Sequence, residues 1–272
     1  MATPQQQEDD SEDDMDPIKI LLPDDNLNGG PNLHQGTPEQ EVQQHYIRSI
    51  KSTVVIRQLP SQGLSFQLWP AATTLFTLLD NRSTGPLSPI LDTISGGSTH
   101  GALRILELGS GTGIVGIAAA VTLGAEVTVT DLPHVIPNLQ FNVDANADVL
   151  ASRGGTVNVA ALRWGEDADV EGVGREFDLV LASDVVYYDH LYEPLLKTLR
   201  SLMLGEGKKM VFVMAHLRRW KKDSAFFKRA RKFFNVEVVH VDSPCEGSRI
   251  GVAVYRFAAK AQRLPAGLNR NS

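Results

Sequence analysis

Three glycines at alternate positions stand between an apolar stretch and a run of small residues, which is typical of a ligand-binding turn. Residues 103–108 resemble a buried strand, Gly109, Gly111 and Gly113 follow, and residues 113–123 resemble a helix. Glycines let the backbone turn sharply and approach a ligand without an obstructing Cβ atom. The N-terminus of the next helix offers free N–H groups. The pattern therefore predicts a nucleotide-like ligand.

Two acidic residues narrow the choice of ligand. Asp131 ends the next predicted strand, 22 residues after Gly109, where a carboxylate can accept hydrogen bonds from both hydroxyls of a ribose. Glu107 lies two residues before Gly109, where it would repel a pyrophosphate but hold a cationic amino-acid group. S-adenosylmethionine has no phosphate and carries a sulfonium and an ammonium group, so Glu107 favours this methyl donor. Residues 111–116 also fit G-x-G-x-x-G, which leaves an NAD-dependent dehydrogenase, or a turn that binds nothing, as alternatives.

A second cluster follows a later strand. Asp184 and Tyr187 come soon after the predicted strand 177–182. In a doubly wound sheet, the carboxyl ends of the strands beside the switch point line the ligand crevice. We therefore expect both side chains to face the glycine turn, about where an acceptor would meet the donor methyl group. The alternative is that Asp184 caps the following helix and that Tyr187 packs in the core.

The order of the elements predicts the fold that positions these residues. Strands alternate with helices, which is typical of a doubly wound parallel sheet. The predicted strands are 103–108, 126–130, 157–162, 177–182, 210–215, 236–241 and 250–257, and the predicted helices are 113–123, 132–147, 190–204 and 218–234. The last two strands have no helix between them and should form an antiparallel hairpin. We expect an α/β fold with a mostly parallel, seven-stranded sheet.

A small N-terminal β-hairpin is predicted before this core. Residues 53–59 and 64–68 are short β-rich runs separated by the turn residues 60–63. Trp69 and the proline after it then open a helix that runs to about Asp80. Residues 81–101 are rich in Ser, Thr, Gly and Pro and suggest a surface excursion with one short helix.

The charge of the chain is unevenly distributed. The net charge is −6, yet residues 1–40 hold ten acidic residues and one basic residue, Lys19. Such a segment buries too little apolar surface to fold, so we expect a disordered acidic tail over 1–40, one domain over 41–260 and a frayed end over 261–272. Within that domain, 41–80 forms the hairpin and helix and 101–260 the core. Residues 208–232 carry ten Lys or Arg residues against one acid, which indicates a solvated basic face or a docking surface.

Composition excludes several classes of protein. Cys245 is the single cysteine, so the chain has no internal disulfide and no cysteine cluster for zinc. The histidines show no metal-ligand spacing, and we expect no metal. No apolar run reaches the roughly 20 residues of a membrane span. With no secretory pattern at the N-terminus, the predicted location is the cytoplasm, with the nucleus as a second compartment.

At this point the sequence resembles the seven-β-strand S-adenosylmethionine-dependent methyltransferases, and within them the family-16 protein lysine methyltransferases with a D-x-x-Y motif. The resemblance covers about 46–257. It is carried by 106–116 (LELGSGTGIVG), the turn at Asp131, 162–165 (LRWG), 184–187 (DVVY) and 63–72, which is similar to a G-x-x-x-W-x-A-A segment. It implies a Rossmann-like fold and transfer of a methyl group to lysine in a non-histone protein.

The resemblance also implies roles for individual residues. The implied donor-binding residues are Trp69, Glu107, Gly109, Ser110, Gly111, Gly113, Asp131, Trp164 and Ser183. In this assignment Asp131 holds the ribose, Trp164 lies against the adenine, and Trp69 reaches the donor from the N-terminal segment. Asp184 would align the incoming amine and Tyr187 would narrow the channel around its stem. These two are the candidate catalytic residues.

Other functions remain as alternatives to a protein-lysine N-methyltransferase. The same fold serves small-molecule methyltransferases, and it also occurs in catalytically silent interaction modules. A carboxylate at the acceptor position favours a cationic nucleophile over a phenol or a carboxylic acid. We expect a lysine-bearing protein substrate as partner, a monomer, and no membrane or nucleic-acid partner.

Overall fold

The computed structural model describes residues 40–97, 101–205, 210–244 and 251–260. The predicted acidic tail, apart from its last residue, the predicted frayed end and Cys245 lie outside these ranges. Among the described residues, no helix is long and apolar enough to cross a membrane.

The described chain contains strands and helices that alternate through the core. The strands are β1 (Glu41–Ile47), β2 (Ser52–Gln58), β3 (Arg104–Leu108), β4 (Glu126–Asp131), β5 (Thr156–Ala161), β6 (Leu179–Ser183), β7 (Val211–His216), β8 (Phe234–Val241) and β9 (Ala253–Ala259). The helices are α1 (Pro70–Asp80), α2 (Ser88–Gly97), α3 (Ile114–Leu123), α4 (Ile136–Asp144), α5 (Ala147–Arg153), α6 (Asp167–Val173), α7 (Tyr192–Met203) and α8 (Asp223–Ala230). Short 3₁₀ turns cover Pro60–Gln62, Leu64–Phe66 and Asp189–Leu191.

Seven of the strands form one sheet in the order β5-β4-β3-β6-β7-β9-β8. The pairs from β5 to β7 are parallel, whereas β9 is antiparallel to both β7 and β8. The chain runs outward from β3 in one direction and then returns to run outward from β6 in the other. The switch point therefore lies between β3 and β6, and a ligand crevice is expected at their carboxyl ends. The predicted mostly parallel sheet and its C-terminal hairpin are confirmed.

Both faces of the sheet are buried, which explains the near-continuous apolar strands. On β3, Ile105 packs into a cluster with α1 and α3, while Leu106 and Leu108 pack into a second cluster with α7 and α8. Successive side chains of a strand point to opposite faces. A strand covered by helices on both sides must therefore be apolar at nearly every position.

The N-terminal hairpin exists, but the predicted pairing within it is wrong. The partner of β2 is β1, with Glu41 opposite Gln58 and Ile47 opposite Ser52, whereas the predicted second strand contains the 3₁₀ turn Leu64–Phe66. Strand β1 has the sequence EVQQHYI and lies mostly at the surface. It therefore lacks the apolar alternation by which a strand is recognised.

Two asparagines of the core form hydrogen bonds to the edge of β2 that does not pair with β1. Asn142 and Asn146 are buried, and the side-chain amide of each makes two hydrogen bonds to the backbone of one residue of β2. Asn142 accepts a bond of 2.8 Å from the N–H of Arg57 and donates one of 3.0 Å to its carbonyl oxygen. Asn146 makes the same two bonds to Val55, each 2.8 Å long. Each side-chain amide therefore acts as a substitute for a neighbouring strand and satisfies the backbone polar groups of an edge. The N-terminal segment is attached to the core by these bonds.

Two predicted helices have other limits. The predicted helix 132–147 contains α4, and a separate helix that was not predicted, α5, begins at its last residue. The predicted basic helix 218–234 contains only α8 at its centre, and Trp220 lies before that helix while Phe234 begins β8. The loop 217–222, between β7 and α8, is thereby free to turn toward the end of β6. Arg219 of this loop is part of the site described next.

Candidate functional site

The glycine turn after β3 requires glycine for conformational and steric reasons. Gly109, Gly111 and Gly113 have φ angles of 62°, 54° and 81°, a region that residues with side chains rarely adopt. A Cβ atom on Gly109 would lie 2.9 Å from the ring of Trp164, and one on Gly111 would lie 3.0 Å from the carbonyl oxygen of Ser65. The tight turn therefore has Trp164 on one side and the N-terminal segment on the other.

Glu107 is fully buried beneath the turn. Its Oε2 accepts a hydrogen bond of 2.9 Å from the N–H of Gly116 in the first turn of α3, and Oε1 is buried with no hydrogen-bond partner in the described part of the chain. Burial raises the pKa of Glu107 to about 8, although the Gly116 bond acts to lower it. The carboxyl group occupies the helix N-terminus that a dinucleotide fold offers to a pyrophosphate. This geometry opposes a dinucleotide and suits a cationic ligand.

Asp131 and Ser110 connect β3 to β4. Asp131 Oδ2 accepts a hydrogen bond of 2.8 Å from the N–H of Gly111, and Oδ1 accepts one of 2.7 Å from the N–H of Leu132. The hydroxyl of Ser110 accepts 3.0 Å from the N–H of Thr130. Burial raises the pKa of Asp131, and the two N–H bonds oppose this shift. Ser110 shapes the turn, while each Asp131 oxygen keeps a lone pair for a hydroxyl donor.

Trp69 lies at the entrance of α1, between the N-terminal segment and the loop 217–222. Its Nε1 donates 2.8 Å to the carbonyl oxygen of Leu64. The guanidinium carbon of Arg219 lies 5.2 Å from the centre of its ring, within the range of a cation–π contact. The predicted donor-side tryptophan therefore also contacts a cation that belongs to the second half of the site.

Asp184 directly follows Ser183, the last residue of β6. Its φ angle is 55°, which is strained for a residue other than glycine. The backbone is held there because the N–H of Asp184 donates 2.9 Å to the carbonyl oxygen of Ala215 on β7. Ser183, half-buried, pairs with Ala215 in the same parallel register. This backbone conformation directs the carboxylate toward the loop after β7.

The Asp184 carboxylate is held by Arg219 in a two-point ion pair. Nη2 donates 3.0 Å to Oδ2 and Nη1 donates 3.2 Å to Oδ1, while the N–H of Leu217 donates 3.0 Å to Oδ1. In the described residues, the helices that follow have no side-chain cap, so Asp184 does not have the capping role. Burial acts to raise the pKa of Asp184, but His216, Arg219 and the Leu217 N–H lower it overall.

Arg219 was not predicted as a site residue, and neither were two further residues of this cluster, His216 and Asp223. Fully buried His216 ends β7, with Nδ1 3.6 Å from Asp184 Oδ1 and Nε2 3.2 Å from Asp223 Oδ2. Asp223 begins α8 and accepts 3.3 Å from the hydroxyl of Tyr192. Asp184 and His216 follow equivalent positions on neighbouring parallel strands, so the strand pattern contained a signal for their proximity. Arg219 and Asp223 were missed because residues 218–234 were predicted to form one continuous helix.

Tyr187 follows the acceptor-side residue Asp184 in the chain, and its pKa is influenced by the donor-side residue Asp131. Its half-buried ring lies 4.9 Å from the ring of Tyr188. Burial raises its pKa to about 12, with the negative charge of Asp131 as the second cause. Asp131 ends β4 and Tyr187 follows β6, so both lie at the carboxyl edge on either side of β3. The structure thus brings the predicted donor-side and acceptor-side residues to one crevice.

Comparisons with known proteins identify the class that this fold and site define. The family described as lysine methyltransferase matches residues 49–233. "Protein N-lysine methyltransferase METTL21A" of Danio rerio is 33% identical over 211 residues, which cover 78% of this chain and 84% of that protein. "EEF1A lysine methyltransferase 3" of Mus musculus is 37% identical over 165 residues, which cover 60% of this chain and 65% of that protein.

The chain therefore belongs to the lysine methyltransferase family, and within the doubly wound transferases it is a protein-lysine N-methyltransferase. The resemblance seen in the sequence is confirmed by these matches, as is the class of activity inferred from it. Use of S-adenosylmethionine follows for the family as a whole.

Proposed function

We propose that the chain binds S-adenosylmethionine at the glycine turn and methylates a lysine of a non-histone protein beside Asp184 and Tyr187. The observation that supports the donor site best is the pair of buried carboxyl groups there, one of them with an oxygen that lacks a partner in the described chain. A cationic ligand with ribose hydroxyls matches these acceptors. When bound, this donor supplies an electrophilic methyl group on a sulfonium.

The residues of the donor side have separate roles in this proposal. Glu107 lies beneath the turn and ionises when the cationic donor binds, and Asp131 accepts hydrogen bonds from the ribose hydroxyls. Gly109, Ser110, Gly111 and Gly113 shape the backbone against which the methionine part lies. Trp164 lies against the adenine, Trp69 closes the N-terminal side, and the backbone of Ser183 borders the donor.

The acceptor side orients an amine and leaves its deprotonation to water. A lysine attacks only as the neutral amine, and its reference pKa is about 10.4. The pKa of Asp184 is lowered, which makes its carboxylate a weak base. The pKa of Tyr187 is raised to about 12, so its hydroxyl stays protonated at neutral pH and cannot accept the proton. Asp184 accepts a hydrogen bond from the amine, and the ring of Tyr187 forms a wall of the channel. Positioning of this kind is the main contribution to catalysis.

Two experiments test the proposal. Calorimetry with S-adenosylhomocysteine and with NAD separates the methyl donor from the dinucleotide, and we expect heat of binding from the first alone. A tritium-methyl transfer assay on a cell lysate, followed by mass spectrometry of the labelled band, tests the acceptor. Label in a lysine of a protein supports the proposal, whereas label in small molecules supports a small-molecule methyltransferase. Donor binding without any label would indicate a silent interaction module.

The relatives suggest one acceptor to include in that assay. The mouse relative is named for EEF1A, so purified EEF1A is a candidate substrate. Transfer to EEF1A that disappears with the Asp184→Ala variant would identify it as an acceptor. A labelled band of a different mass would indicate another protein.

We further propose that the enzyme acts as a monomer in the cytoplasm, with the nucleus as a second location. The single cysteine in 272 residues supports a reducing compartment. Light scattering after gel filtration measures the mass in solution, and fractionation of cells that express a tagged chain measures the location. A dimeric mass or a secreted product would contradict the respective part.

A further inference from the structure

Two carboxylates and two basic side chains form a buried cluster behind the acceptor crevice. Asp184 and His216 approach because β6 and β7 are parallel and pair in register up to Ser183 and Ala215. Asp223 at the start of α8 approaches from the other side of His216, and Arg219 closes the outer side of Asp184. His216 and Asp223 are fully buried.

The surroundings of His216 favour its protonated form on geometric grounds. Each ring nitrogen faces a carboxylate oxygen at ion-pair distance, 3.6 Å for Asp184 and 3.2 Å for Asp223, and both nitrogens are buried without a hydrogen bond among the described residues. A neutral imidazole has one N–H and would direct a lone pair at one of these oxygens, whereas an imidazolium presents an N–H and positive charge to both carboxylates. Protonated His216 and Arg219 also balance the charges of the two carboxylates, which lowers the cost of burial.

The two oxygens of Asp184 are held unequally. Oδ1 faces His216 and accepts from the N–H of Leu217 and from Arg219, whereas Oδ2 accepts from Arg219 alone among the described residues. Arg219 also contacts Trp69 of the N-terminal segment. Oδ2 is thus the oxygen that an incoming amine can take over from Arg219, while Oδ1 remains bound on the buried side.

We propose that His216 is a positioning residue of the acceptor site. As an imidazolium it links Asp184 to Asp223 and keeps the Asp184 carboxylate in place. Oδ2 of that carboxylate then exchanges its hydrogen bond from Arg219 for one from the acceptor amine. The inference rests on the proposed acceptor role of Asp184. Burial acts to lower the pKa of His216, and the two carboxylates raise it above its ordinary value.

The state of His216 depends on the charged and titratable groups that face the cluster. Asp184 comes from β6, Arg219 from the loop 217–222 and Asp223 from α8. Tyr192 of α7 hydrogen-bonds Asp223. Tyr255 of β9 is influenced by the charge of Asp223 and packs on Phe227, whose ring contacts His216. Since the carboxylates flank the ring directly, removing either one should lower the titration midpoint of His216.

The first test is spectroscopic and uses the full wild-type chain. In a ¹⁵N-histidine NMR titration, both ring nitrogens of His216 should show imidazolium shifts at pH 7, with a midpoint above the reference of about 6.5. The His216→Gln spectrum assigns the signal, and Asp223→Asn should lower the midpoint by about one unit or more. A neutral ring at pH 7 in the wild type would overturn the proposal without reference to any variant.

The second test separates positioning from stability, using the acceptor protein identified by tritium labelling. His216→Gln should lower kcat about tenfold or more per folded molecule, with affinity for S-adenosylhomocysteine unchanged. The matched control is His240→Gln, because His240 forms a 2.7 Å pair with Asp242 and lies on the edge strand β8, two strands from β7. The double variant His216→Gln/Asp223→Asn removes the unpaired buried charge, and its melting temperature should recover while kcat stays low.

Three outcomes distinguish a failure of the His216 inference from a failure of the proposed function. Full turnover of folded His216→Gln beside an inactive Asp184→Ala would overturn this inference and leave the proposed function intact. Recovery of kcat together with melting temperature in the double variant would assign His216 a structural role alone. Full turnover of Asp184→Ala would overturn the proposed acceptor site, and the inference with it.

Discussion

The donor half and the acceptor half of the crevice are held together by different interactions. On the donor side, Glu107 and Asp131 accept hydrogen bonds from backbone N–H groups of the turn at Gly116 and Gly111. On the acceptor side, Asp184 is held by the guanidinium group of Arg219, in a loop more than 30 residues away, together with the N–H of Leu217. Backbone donors hold their direction and do not titrate, whereas an ion pair depends on the charge state of each partner. The donor half should therefore respond to changes of shape, and the acceptor half to changes of charge.

The largest effect should come from a change of shape in the donor half. Gly111→Val should abolish donor binding, a loss of more than about 100-fold or 2.7 kcal/mol, because φ is 54° and the new Cβ would meet Ser65 at 3.0 Å. Calorimetry with S-adenosylhomocysteine measures the loss. Gly172→Val in α6 is the matched control, since nothing lies within 4 Å of its Cβ position. Wild-type affinity in a folded Gly111→Val chain would place the donor elsewhere.

Removal of one donor-side carboxylate should have the next largest effect. Asp131→Ala should weaken S-adenosylhomocysteine binding by about 1.5–3 kcal/mol, since hydrogen bonds to a charged group are lost. It also frees the N–H groups of Gly111 and Leu132, so the melting temperature should be recorded on the same preparation. Unchanged affinity in a folded chain would contradict the assignment of Asp131 to the ribose.

The same substitution on the acceptor side should separate binding from turnover. Asp184→Ala should leave donor affinity nearly intact and lower methyl transfer tenfold or more, about 1.4 kcal/mol in transition-state stabilisation. Asp184→Asn should recover little, because it keeps the shape but leaves Arg219 without its counter-charge. Tyr187→Phe should be less damaging than Tyr187→Ala if the ring is the functional part. Turnover, donor affinity and melting temperature are measured on each variant, and equal loss of affinity in Asp131→Ala and Asp184→Ala would remove the distinction between the halves.

The smallest expected effect is a pH dependence of donor binding that arises from Glu107. The pKa of buried Glu107 is about 8 without a ligand, so the group binds a proton at neutral pH. A cationic donor favours the ionised form and lowers this pKa, so S-adenosylmethionine binding should release a fraction of a proton. Affinity should then rise a few-fold as pH increases toward 8 and level off above it.

Calorimetry in buffers of different ionisation enthalpy counts the protons released. The Glu107→Gln variant is the control, because its amide cannot titrate while it keeps an oxygen for the N–H of Gly116. The proton count should fall in this variant by the share that Glu107 supplies. An equal count in both chains would mean that Glu107 does not sense the donor.

The sequence by itself determined the sheet, the glycine turn and the class of activity. The reason is that these signals are local: strand β3, the glycines and Glu107 lie within about a dozen residues, and Asp131 follows one helix later. The alternation of strands and helices allows few topologies. The carboxyl ends of β3 and β6 then had to meet at the switch point, which brought Asp184 and Tyr187 to the crevice.

Only the tertiary structure decided which groups surround Asp184 and how the N-terminal hairpin pairs. Helix propensity over 218–234 predicted one helix, but the Asp223 carboxylate accepts from the N–H groups of Arg219 and Trp220, and α8 begins only at Asp223. Likewise β1 is a strand because it pairs with β2, and the other edge of β2 is bound by asparagines of the core. The loop is also fixed by the pair of Arg219 with Asp184, 35 residues away, and β2 by hydrogen bonds to Asn142 and Asn146. Contacts between residues so far apart leave no periodic signal in a single sequence.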